Sequence, residues 1–131
     1  MEIEIKTEFD IPGSTPQQRG MSKAGNYPRQ GLRYARAAWQ ALLEKYAPVK
    51  KMKGPVCLVI CLFYHTADKK KDGKFKTTRP DNTNLLKLIE DSLTKCGFWD
   101  DDNQVACSYI KRCWTLSASH IEIYVSDLKE D

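Results

Sequence analysis

Between Arg79 and Val105 the chain reads RPDNTNLLKLIEDSLTKCGFWDDDNQV. Asp81 stands at the front of this stretch, Lys87 follows within it, and Asp100, Asp101 and Asp102 come together near its end. Carboxylates supply hard oxygen ligands for an ion such as Mg²⁺, and a lysine supplies a cation for phosphate. Together they are what metal-assisted phosphodiester hydrolysis requires. Taken alone, the same residues also suit a capped helix followed by a solvated acidic turn.

The elements that must position these groups are legible in the same stretch. Pro80-Asp81 ends one element and opens a helix with a capping carboxylate. Leu85, Leu86, Ile89, Leu93 and Cys96 recur at helical spacing, which predicts one apolar face. Thr83, Asn84, Lys87 and Asp91 then share the opposite, polar face. Gly97 is the stop signal. Asp91 lies one turn after Lys87, where the two can pair, so its expected role is to orient the lysine.

At 131 residues the chain is long enough for one domain with its own core, and it is read as a single domain over 1–131. Met1 is followed by Glu2, Glu4 and Lys6, unlike a signal peptide, and the apolar run Val56 to Tyr64 is too short to cross a bilayer. The reading is a soluble intracellular protein with no membrane partner. Net charge is +4, but residues 1–80 hold 16 Lys/Arg against 7 Asp/Glu, while residues 81–131 hold 5 against 10. A basic first part suits a polyphosphate partner, and an acidic second part suits a metal. The five cysteines include no C-x-x-C, and His65 and His120 complete no zinc spacing, so reduced structural thiols are expected.

In chain order, Glu2 to Ile11 alternates as a half-buried strand ending at Pro12-Gly13. Residues 13–31 read as a long polar loop whose Arg19, Lys23 and Arg29 suit a polyphosphate partner, with Tyr27 as an aromatic ring able to stack. Leu32 to Tyr46 is a helix burying Ala35, Trp39, Leu42, Leu43 and Tyr46. Pro55 to Tyr64 is apolar on both faces and reads as a central strand. A basic run follows, Lys69, Lys70, Lys71, Lys74, Lys76 and Arg79, which places phosphate-neutralising charge just before Asp81. Gln104 to Trp114 and His120 to Val125 read as two more strands with a turn at residues 116–119. This order predicts an α+β fold: a small mixed or antiparallel sheet packed with two helices.

Asp81-x-x-Asn84-Leu85-x-Lys87, Asp91-x-Leu93 and Gly97-Phe98-Trp99-x-Asp101-Asp102-x-Gln104-Val105 resemble the signature of the RusA-type Holliday junction resolvases. The match runs without a gap over residues 81–105, and the resemblance agrees with the α+β fold. It implies a homodimer that binds a four-way DNA junction and makes paired symmetric nicks in recombination and repair, leaving 5′-phosphate ends. The implied cofactor is Mg²⁺, with Mn²⁺ as substitute, and no nucleotide cofactor is expected. The implied setting is the cytoplasm, with a bacterial or phage-borne gene.

On that resemblance Asp81 and Asp102 correspond to catalytic metal ligands and Lys87 to the motif lysine. Thr83 stands where the family pattern has a second aspartate. Three readings stay open there. The threonine hydroxyl or a water completes the metal shell, a neighbouring acid (Asp101 or, less readily, Asp91) substitutes, or the chain holds branched DNA without cutting it. Phe98-Trp99 reads as core or intersubunit contact, with Phe98 as an alternative wedge for opening a junction.

Overall fold

A computed structural model describes residues 1–13 and 27–129, with residues 27–30 given by their backbone alone. The elements are β1 (Glu2–Glu8), α1 (Tyr27–Leu43), β2 (Val56–His65), α2 (Asn82–Lys95), β3 (Val105–Thr115) and β4 (His120–Asp127). Single 3₁₀ turns at Glu44–Tyr46 and Asp102–Gln104 extend α1 and introduce β3. This is the α+β architecture expected from the sequence.

The four strands form one mixed sheet in the order β1-β4-β2-β3. β4 runs antiparallel to β1 and to β2, whereas β2 and β3 are parallel. The parallel pair needs a crossover, and α2 supplies it. The turn after β3 therefore does not close a hairpin. It carries the chain past the end of β2, where Ser119 Oγ accepts from the His65 amide at 2.9 Å, and β4 pairs on the far side of β2.

Both helices cover one face of the sheet. Trp39 and Leu43 of α1 and Leu85, Leu88, Ile89 and Leu93 of α2 are fully buried against Ile5, Leu58, Ile60, Leu62, Ile121 and Ile123. β2 is central, but it is not buried on both faces. Val56, Leu58, Ile60 and Leu62 are buried, while Cys57, Val59, Cys61 and Phe63 on the alternate face are only half-buried. Cys107 and Cys113 join them on that open face through the β2–β3 register, and all five thiols are free.

The first helix starts at Tyr27, earlier than its apolar period suggested. Pro28 fits a first helical turn, where its missing N–H would be unpaired in any case, and Gly31 is carried inside the helix rather than ending it. The two outer strands differ at their edges. β1 carries Glu2, Glu4, Lys6 and Glu8 along its length. β3 is partly covered: the Gly73 and Lys76 amides donate to the Trp114 and Arg112 carbonyls, and Trp114 donates back to Lys74.

Candidate active site

Asp81 caps α2: its Oδ1 accepts from the Asn84 amide at 2.9 Å. One lone-pair direction serves the helix, and the other carboxylate oxygen remains free in solvent. Thr83 is exposed beside it in the first turn. Asn84, Lys87 and Asp91 continue a polar stripe along the outer side of the helix while its other side packs in the core.

The approach to Asp81 is held from below by two cations. Arg112 is 7% exposed. Its Nε donates to Asn82 Oδ1 at 2.6 Å, and its Nη1 donates to the carbonyls of Thr78, at 2.7 Å, and of Pro80. Asn82 Nδ2 in turn reaches the Ile110 carbonyl at 3.4 Å. Lys76 is 9% exposed. Its Nζ donates to the Arg79 carbonyl at 2.8 Å and the Thr78 carbonyl at 3.3 Å, lying over the rings of Tyr64 and Trp114. Burial, with Arg112 nearby, holds this ammonium below the ordinary lysine range. Burial also pushes the Tyr64 phenol up to about 12.

Lys76 is therefore not a free phosphate contact, contrary to its reading as part of the basic run. Its ammonium sits over the aromatic pair Tyr64–Trp114, and the Arg79 and Thr78 carbonyls are the acceptors it finds there. Lys69, Lys70, Lys71, Lys74 and Arg79 are exposed as expected. Arg19 and Lys23 lie outside the described residues, as do the side chains of Tyr27 and Arg29.

At the other end of α2 the chain turns sharply. Gly97 takes φ +89°, and the amides of Gly97 and Phe98 donate to the Thr94 and Leu93 carbonyls, closing the helix end. This turn drives Phe98 and Trp99 fully into the core. Phe98 is thus excluded as a wedge, because inserting it into DNA would empty the site it fills.

The acids beyond it divide their work. Asp100 pairs with Lys51 at 3.2 Å and Lys53 at 3.3 Å, and these cations hold its carboxyl below the usual range. Asp101 caps the following 3₁₀ turn by accepting from Asn103 N at 2.9 Å. Gln104 clamps the turn: Oε1 accepts from the amides of Asp100 and Asp101, and Nε2 donates to the carbonyls of Met52 and Gly54. Asp102 is exposed, and its Oδ1 contacts the Thr94 hydroxyl, which also accepts from Trp99 Nε1 at 2.8 Å. Burial, and then the neighbouring Asp102, raise the Asp91 carboxyl above the usual range, against the pull of Lys87 and Arg36. Burial, Asp102 and Asp91 raise Glu90 likewise.

The site residues thus fall into two groups. Asp81 is tied to Asn84 and Asp102 to Thr94, ten residues further along one continuous helix, so at the helical rise the two carboxylates stand roughly 15 Å apart. Ligands of a single Mg²⁺ lie about 2 Å from it, so one copy cannot bring both to the same ion. Among the described residues, no three acid, His or Cys side chains gather as a metal site.

Sequence reasoning underweighted Arg112 and missed Asn82 and Thr94. Arg112 carried a signal, because it shares strand parity with Ile110 and Trp114, the parity that faces the helices.

A model of the family described as Endodeoxyribonuclease RusA matches residues 10–126. A curated relative, the crossover junction endodeoxyribonuclease rusA of Lactococcus phage r1t, is 29% identical over 132 residues, covering 98% of this chain and 100% of the relative.

Proposed function

The chain belongs to the RusA endodeoxyribonuclease family, and on that premise we propose that it resolves four-way DNA junctions as a Mg²⁺-dependent homodimer. In this reading each active site combines residues of both copies. The observation that carries it is the separation of Asp81 from Asp102 along α2. A junction has near two-fold symmetry, so a two-fold protein with two equivalent sites matches it.

Two α2 helices lying antiparallel across the two-fold bring Asp81 and Thr83 of one copy toward Asp102 and Asp91 of the other. That gathers the oxygen ligands which a single copy keeps apart. When bound, Mg²⁺ supplies Lewis acidity at the phosphate and a lowered pKa for attacking water. Asp81 offers its uncapped oxygen, Asp102 its exposed carboxylate, and Thr83 a neutral hydroxyl in place of a third acid. Lys87, exposed one turn in, holds the scissile phosphate. Lys69, Lys70, Lys71, Lys74 and Arg79 carry the flanking backbone, together with Arg19, Lys23 and Arg29.

The experiment is a mixing test on a mobile junction. Asp81→Asn and Asp102→Asn are each expected to be inactive alone. In a mixed dimer one composite site loses both acids and the other keeps both. Co-refolding the two variants should therefore restore Mg²⁺-dependent nicking, with about a quarter of all sites intact at random pairing. Mixtures as inactive as the separate variants, despite dimers in sedimentation, would sink the shared site. Tight junction binding by the natural chain, with nicking seen only after Thr83→Asp, would assign it to binding rather than cutting.

A further inference from the structure

A groove of about 420 Å³ opens at the β3 edge, lined by Phe75, Lys76, Asn82, Tyr109, Lys111 and Arg112 among others. Asn82 is the residue after Asp81, so the groove begins where the catalytic end of α2 begins. Phe75 is 70% exposed and Tyr109 55% exposed, two of the larger apolar side chains left in solvent. Nothing in their own packing accounts for either.

Their placement is set by the sheet. Phe75 bridges to Cys113 in antiparallel fashion, which puts its side chain on the same side as Cys113. Tyr109 and Lys111 share that side by strand alternation. Along the rim the order is therefore aromatic, cation, aromatic. No acid lines the groove, and neither Lys76 nor Arg112 is paired with a carboxylate among the described residues. The wall is cationic as well as apolar.

We propose that this groove holds a short unpaired stretch of the DNA strand beside Asp81, its bases stacked on Phe75 and Tyr109 and the phosphate between them on Lys111. Bases have apolar faces that any aromatic ring can stack on, and the intervening phosphate requires a cation. Duplex DNA does not present separated base faces, whereas the unstacked centre of a branched substrate does. The groove thereby becomes a selector for opened DNA, and this assignment rests on the reading of the chain as a junction nuclease.

The test uses a short single-stranded oligonucleotide carrying 2-aminopurine, whose fluorescence is quenched on stacking, and a four-way junction. The proteins are the natural chain, Phe75→Ala, Phe75→Trp, Tyr109→Ala, Lys111→Gln and Asp81→Asn. The Phe75, Tyr109 and Lys111 variants change groove-lining residues, and each fold is checked by circular dichroism. Phe75→Ala and Tyr109→Ala should each weaken single-strand binding about 10-fold and lose quenching, while Phe75→Trp keeps both. Lys111→Gln should lower the salt slope by about 0.7. Natural affinity and quenching in both alanine variants would overturn the groove, even with Asp81→Asn inactive. Lost quenching in those variants, with Asp81→Asn still cutting, would uphold the groove and remove the nuclease assignment of Asp81 instead.

Discussion

Lys76 Nζ donates to the Arg79 carbonyl at 2.8 Å from beneath the segment that leads into Asp81. A lysine in a basic run is thereby turned inward as a fastening. Replacing it with methionine keeps an apolar side chain beside Tyr64 and Trp114 but leaves the Arg79 carbonyl without its donor, while the Thr78 carbonyl keeps only Arg112. Lys76→Met should lose about 2 kcal/mol in urea unfolding, the range for hydrogen bonds from a charged group. Lys70→Ala should stay within about 0.5 kcal/mol and instead reduce the salt dependence of DNA binding by about one unit. Equal stabilities for the two variants would refute the distinction.

Gln104 makes four hydrogen bonds that tie the acid turn to the segment before β2. Gln104→Leu should cost about 1–2 kcal/mol, since it removes four hydrogen bonds from a largely exposed turn. Junction cutting should fall more steeply than junction binding, because Asp102 is displaced while the basic loop is untouched. Parallel measurement of nicking rate and affinity checks this.

Thr83→Asp adds a carboxylate at an exposed first-turn position. It should stabilise α2 by about 0.5 kcal/mol through the helix dipole. The Mg²⁺ concentration for half-maximal nicking should drop on the order of 10-fold, as ligand charge increases. A Mg²⁺ titration of nicking, natural chain beside variant, reads this directly; an unchanged midpoint would separate Thr83 from the metal.

The raised carboxyls of Glu90 and Asp91 work against neutral-pH stability. Above the ordinary carboxylate value of about 4, the folded chain holds protons there that the unfolded chain has lost. Stability therefore falls as pH climbs through that window. Asp100 and Asp127 are depressed by Lys51 with Lys53 and by the N-terminal ammonium respectively, so their contribution disappears only as pH drops below that value. Metal-free protein should melt highest in mildly acidic buffer, and Asp91→Asn should flatten the decline toward neutrality. A melting temperature rising steadily from about pH 5 to neutrality would contradict this.

Local signals carried much of this fold. Asp81 as a cap, the apolar spacing from Leu85 to Leu93 and Gly97 as a stop all act within one helix, where a residue's neighbours in sequence are its neighbours in space. The pairing of β2 with β3 rather than β3 with β4 depends on a crossover that no local pattern encodes. Lys76 was opaque for the same reason: an ammonium looks solvated until the rings and carbonyls that surround it are assembled. The separation of Asp81 and Asp102 was hidden by their shared motif, although a helix between two residues is a ruler of known length.

The two margins of the sheet differ in how they meet other chains. Charges along β1 and the main chain of residues 73–76 laid against the upper part of β3 both discourage a second molecule from adding a strand. Ordered polymerisation through the sheet is thus blocked at one rim and half-blocked at the other. The remaining length, from Val105 to Tyr109, is where fibril growth or strand exchange would begin in concentrated solution.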